Sequence, residues 1–159
     1  MRKLDREIAK RMVAALGTLP ADAKPLWGKM NRDQLYGHLA LVMKHMVGDT
    51  PPLPFKGNFV SRHIFRRLIL LGLVEIPHNV RLPKPKGADK HPEPPTCALA
   101  DVEQALSEYL DRAEAGTLPQ AMHPFFGPLT VNEWRRFHVA HFKHHLKQFG
   151  VWNDAILKG

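Results

Sequence analysis

Four of the chain's ten histidines, His138, His141, His144 and His145, fall within one short stretch, and two of them are spaced four apart. Two imidazoles at i and i+4 on one helical face bring their nitrogens within reach of a single ion. At about 100° per residue, Trp134, Phe137, His138, His141, His145, Gln148 and Phe149 fall within roughly 60° of one direction, so His141 and His145 point inward with the aromatics. His144 lies about 80° from the centre of that stripe, at its edge. A third ligand has to come from another element. On an earlier helix Leu35, His38, Leu41, Val42 and His45 share the inward side, which makes His38 a candidate; His45 sits about 10 Å further along, so the two cannot serve the same ion.

A solitary inward histidine is more often a core residue with a hydrogen bond. Several on facing helices are harder to satisfy that way, since an unpartnered buried imidazole costs about 1 to 3 kcal/mol and a protonated cluster repels itself. One shared ion resolves the whole group. The single cysteine, Cys97, excludes an internal disulfide and a Cys-rich zinc site, leaving histidine and carboxylate as the donors. Three neutral imidazoles without an evident fourth side chain leave a coordination position open, as in catalytic rather than structural sites. Such donors suit a divalent transition metal, Zn or Ni foremost, with Fe, Co and Cu also compatible.

The elements that must carry these residues read as helices. Leu4, Ile8, Met12, Ala15 and Leu16 recur at helical steps between Lys3 and Leu16, and Gly17 and Pro20 end the pattern. Asn31 and Gln34 form a capping box opening the His38 helix, which runs to Gly48; Pro51, Pro52 and Pro54 forbid its continuation. Ser61 to Leu73 reads as a short helix with Ile64, Leu68 and Leu71 on one side and Arg62, Arg66 and Arg67 near the other. Pro77 to Pro95 is rich in Pro, Lys and Gly, lacks periodicity and is too long for an ordinary connection, which makes it a flap or a disordered stretch. A fourth helix spans about Leu99 to Ala115, stopped by Gly116. The last has the clearest start: Thr130 and Glu133 form a capping box, with Leu129 stapling onto Trp134. No strand alternation is expected.

The expectation is therefore an all-α chain, an antiparallel four-helix bundle with an extra short helix and a long Pro-rich insertion, in a single domain over residues 1–159. No stretch approaches the ~20 apolar residues of a membrane span, and the charged start has no secretory pattern, so a cytoplasmic protein without a membrane partner is expected. The net charge of +8 is spread among acidic residues apart from clusters at Arg62-Arg66-Arg67 and Lys84-Lys86-Lys90. Without a recognition motif or exposed aromatics among the basic residues, nucleic acid is not an expected partner.

The segment His141-Phe142-Lys143-His144-His145-Leu146-Lys147-Gln148 resembles the H-x-x-H-H-x-x-Q signature on the last helix of the DinB-like superfamily, four-helix bundles that bind a divalent metal. Leu35-Tyr36-Gly37-His38-Leu39 resembles the element that supplies that family's first histidine. Trp27-Gly28-Lys29-Met30 and the run from His123 through Pro124, Phe125, Phe126, Gly127, Pro128 and Leu129 to Thr130 look like one bacterial subgroup known mainly as a domain of unknown function. The resemblance covers Trp27 to Val151. It implies a ligand set of His38, His141 and His145, selecting His38 over His45. His144 and Gln148 match the motif without ligating; with His138, Trp134 and His45 they are the residues expected around the site. The subgroup carries an insertion at Asp49 to Pro95, and the substrate contacts of characterised relatives do not map onto it, so the resemblance carries metal binding and not reaction type.

These readings point to a metal-dependent enzyme acting on a small molecule, an anionic thiol being a suitable cosubstrate for a positive chain. Resemblance to thiol transferases favours transfer of a low-molecular-weight thiol to an electrophile. The alternatives are hydrolysis of a small ester or amide by a metal hydroxide and a non-catalytic metal- or ligand-binding module. His144, His45 and Glu133 are candidate general bases that spacing does not separate. A homodimer is compatible with the sequence.

Overall fold

The computed structural model describes residues 1–80 and 93–158, and the chain there is mostly helical. Helix α1 (Arg6–Gly17) begins where the Asp5 carboxylate accepts the Ile8 backbone N–H at 2.8 Å, and it buries Ile8, Met12 and Leu16 as one stripe, with Leu4 buried just ahead of it. Helix α2 (Arg32–Val47) opens on the expected capping box: Asn31 Oδ1 accepts from Gln34 N at 2.9 Å and Gln34 Oε1 accepts from Asn31 N at 3.0 Å. Gly48 closes it at φ 88°, in the left-handed region that glycine occupies without cost.

The buried face of α2 is rotated from the expected one. Leu35, Tyr36, Leu39, Ala40, Met43 and Met46 face the core, Leu41 is exposed, and His38, Val42 and His45 lie half-buried along one flank. Packing sets this phase, because α2 lies against helix α4 (Leu99–Ala115) through that stripe. At Gly37 the Pro95 carbonyl occupies the space a Cβ would take, so the helix surface next to His38 is reachable by backbone only because the residue is glycine.

The short helix also differs from expectation. Ser61–Phe65 is a wide π-type turn that passes into α3 (Arg66–Leu71); Ile69 and Leu70 are buried, while of Ile64, Leu68 and Leu71, expected to share one side, Leu68 is half-buried and the other two are exposed. A π turn takes more residues than an α turn and shifts every later side chain around the axis. Between α4 and the last helix lies a two-residue ladder that periodicity does not reveal: β1 (Met122–His123) pairs antiparallel with β2 (Gly127–Pro128).

Helix α5 (Val131–Gln148) starts at Thr130, whose hydroxyl accepts from Glu133 N at 3.3 Å while the Glu133 carboxylate accepts from Thr130 N at 2.9 Å. Helix α1 packs on α4 and α5, and α3 on α5. Arg135 fixes the chain start to α5 by donating to Leu4 O at 2.6 Å, and Leu4 N donates to Arg135 O at 3.0 Å. A 3-10 turn, Asp154–Leu157, returns the tail to α1 through Ile156 and an Arg11 bond to the Lys158 carbonyl. Among the described residues no helix is long and apolar enough to cross a membrane. The expected flap at Pro77 to Pro95, with the basic cluster Lys84-Lys86-Lys90, falls largely on residues 81–92, outside the described ones.

Candidate metal centre

Helices α2 and α5 meet through imidazoles. His38 Nε2 lies 3.0 Å from His141 Nε2, which lies 3.1 Å from His145 Nε2. The three ligand atoms all fall within 4.8 Å of one another, and among the described residues no other histidine, cysteine or carboxylate group of three converges in this way. Three nitrogens on a tetrahedral ion at about 2.0 to 2.1 Å would be separated by about 3.3 Å, and the His38–His141 and His141–His145 separations are close to that.

Hydrogen bonding alone serves this geometry poorly. A neutral imidazole nitrogen carries one hydrogen or one lone pair, yet His141 Nε2 faces two other nitrogens at once. The tautomer of His145 follows from its neighbour. Gln148 Nε2 donates to Trp27 O at 2.8 Å, which turns Gln148 Oε1, an acceptor, toward His145 Nδ1 at 2.8 Å. His145 therefore carries its hydrogen on Nδ1 and presents the Nε2 lone pair to the other two rings.

The surroundings keep the rings neutral, the form that ligates. Burial pushes His38 down to about 4, with His144 adding to it. Burial lowers His141 and His145 well below the ordinary histidine value, and the neighbouring imidazoles lower them further. Phe137 stacks on His141 with ring centroids 5.6 Å apart and planes within 10°. His141 and His145 are buried, and His38 is half-buried on the flank of α2. The donor set fits a divalent transition ion: three convergent imidazole nitrogens, one of them with its tautomer set by an amide.

The other candidates are distributed around this cluster or away from it. His144 is half-buried with its ring 5.0 Å from that of His145; its Nδ1–H donates to Ile76 O at 3.1 Å, which leaves Nε2 as the basic nitrogen. Trp27 stacks on His78 at 3.8 Å and stands edge-on to His144 at 5.7 Å. The Trp27 turn runs through Gly28, whose φ of 82° and closeness to the Gln148 amide would strain any side chain placed there.

His45 turns to its own loop, with Nδ1 2.9 Å from Thr50 Oγ1, and is not drawn into the triad. His138 is fully buried one turn before His141, edge-on to Tyr109 at 4.6 Å and stacked on Trp134 at 5.7 Å, and neither of its ring nitrogens has a hydrogen-bond partner among the described residues. Trp134 thus belongs to the aromatic packing behind the triad. Glu133 is committed to Arg66, at 2.6 Å, and to the Thr130 cap.

His123 is a structural histidine that helical spacing does not single out. It is buried and stacked on Phe126 at 4.2 Å, and its Nδ1 accepts from both Phe125 N at 3.2 Å and Phe126 N at 3.1 Å, which shapes the turn delivering the chain to α5. The signal available in the sequence was a histidine at the head of a Pro-Phe-Phe-Gly turn, where a side-chain acceptor is needed.

One protein family matches the chain, over residues 1–151; it is described as a protein of unknown function (DUF1569). No curated protein and no solved structure matches.

Proposed function

We propose, for a chain that belongs to the DUF1569 family, that His38, His141 and His145 hold one divalent transition metal through Nε2 and that the site transfers a low-molecular-weight thiol to a small electrophile. The observation that carries the reading is the convergence of three Nε2 atoms, one of them with its tautomer set by Gln148. The finer fold belongs to the same proposal: α1, α2, α4 and α5 as an antiparallel four-helix bundle of the DinB-like type, in one domain, supported by the pairing of α2 with α4 and of α1 with both α4 and α5. Zn and Ni are the foremost candidates, with Fe, Co and Cu compatible with the same donors.

A divalent ion with a coordination position open to solvent lowers the pKa of a thiol or water bound there. The residues of the chain supply the rest. Gln148 and the Trp27 carbonyl hold His145 in the ligating tautomer, and Phe137 and the buried face of α5 keep water from behind the rings. In the reaction the thiol sulfur forms a bond to an electrophilic carbon, the leaving group departs with the bonding pair, and the thiol proton passes to a base. His144 is the base of choice: His45 and Glu133 are engaged with Thr50 and Arg66, whereas His144 Nε2 has no hydrogen-bond partner among the described residues and its ring lies beside that of His145.

The test is a panel of small thiols with electrophilic acceptors, run with and without a chelator. Thiol consumption that stops on chelation and returns with added metal is the expected result. Hydrolysis of small esters without thiol consumption would replace transfer by the hydrolytic reading, and metal-replete protein inert to both panels would replace it by a binding module.

A further inference from the structure

We infer that the segment from Pro51 to Val74 docks on an anionic phospholipid surface. These residues contain no Asp or Glu, and their charge comes from Lys56, Arg62, Arg66 and Arg67. On this segment's helical part Phe59 is 73%, Leu71 54%, Ile64 48% and Phe65 45% exposed, beside exposed Arg62, His63 and Arg67, while only Ile69 and Leu70 of α3 are buried. A surface helix of a globular protein ordinarily turns its large apolar residues inward and leaves the outer face to polar ones. Scattered exposed leucines need no explanation; a run of large apolar side chains, two of them aromatic, on one short element does.

The same element bears a basic concavity of about 200 Å³ lined by Arg62, His63, Arg66, Arg67 and Glu133. Glu133 is taken by Arg66 at 2.6 Å, and Arg62 and Arg67 form no ion pair among the described residues. Two uncompensated guanidiniums beside exposed phenylalanine and isoleucine match the boundary of a bilayer, where phosphate headgroups lie against acyl chains. A second copy of the chain is the less favoured occupant. A two-fold contact sets a patch against itself, which brings Arg62 and Arg67 toward their own equivalents with no carboxylate free to separate them. The contact is peripheral, since no helix among the described residues is long and apolar enough to span.

Co-sedimentation with phosphatidylglycerol/phosphatidylcholine vesicles, compared with phosphatidylcholine alone at low and high salt, tests the inference. Wild type should bind only the anionic vesicles and release at high salt. Phe59→Ser with Ile64→Ser, and separately Arg62→Gln with Arg67→Gln, should each weaken binding by about tenfold or more. All four positions are exposed, and thermal melting verifies that both variants fold. Failure of folded wild type to bind anionic vesicles, or undiminished binding by both variants, overturns the inference. So does a concentration-dependent dimer in sedimentation velocity that Phe59→Ser with Ile64→Ser abolishes, which would give this face to a second copy.

Discussion

Gln148 Oε1 accepts the Nδ1 hydrogen of His145 at 2.8 Å, and through that bond a residue that does not ligate decides which nitrogen of a ligating one is available. Partners of this kind are worth about 10- to 100-fold in metal affinity. Gln148→Leu should therefore lower affinity by that range while leaving all three histidines in place. Competition against a chromophoric chelator measures it, and unchanged affinity would deny Gln148 any part in setting the tautomer.

The same amide is positioned from behind by Gly28. A Cβ there would lie 2.8 Å from Gln148 Nε2, on a backbone with φ of 82°, so Gly28→Ala combines strain of about 1 kcal/mol with displacement of the amide. Gly116 has φ of 68° and no atom within 4 Å of where a Cβ would lie, which makes Gly116→Ala a control for strain alone. Both should lower the melting temperature; only Gly28→Ala should weaken metal binding.

Stability and site should separate at Thr130. Loss of its hydroxyl removes the N-cap of α5, costing about 1 kcal/mol, although the histidines lie two turns or more away. Thr130→Ala should shift the denaturant midpoint and leave metal content unchanged.

Acid should destabilise the fold through two histidines outside the triad. Burial holds His123 and His138 at about 3, with neighbouring histidines adding to the effect. Above the ordinary histidine value of about 6.5 both are neutral folded or unfolded and contribute no pH dependence. Between about 6.5 and 3 the unfolded chain binds protons that the folded one refuses, so stability falls as pH falls, by about 1.4 kcal/mol per pH unit for each. His138→Phe should roughly halve this part of the slope, read from urea midpoints across pH 7 to 4.

The parts of the molecule that local chemistry dictates were readable from residue types. Asn31 with Gln34 and Thr130 with Glu133 form the capping boxes their spacing predicts, and the i, i+4 pair His141 and His145 share the buried face of α5. What depends on packing was not. Leu41 faces solvent because α4 sets the phase of α2, and Ile64, inside the π turn, and Leu71, at the end of the short helix after it, do so because a π turn departs from the 3.6-residue period. The role of His123 rests on two backbone N–H groups, which no side-chain periodicity reports.

The central claim is that His38, His141 and His145 share one ion. Elemental analysis of protein purified without an affinity tag, wild type against His145→Ala, tests it most directly. Near-stoichiometric divalent metal in wild type and a large loss in the variant, with the fold retained by circular dichroism, is the predicted result. Equal metal in both, or none in either, would contradict it.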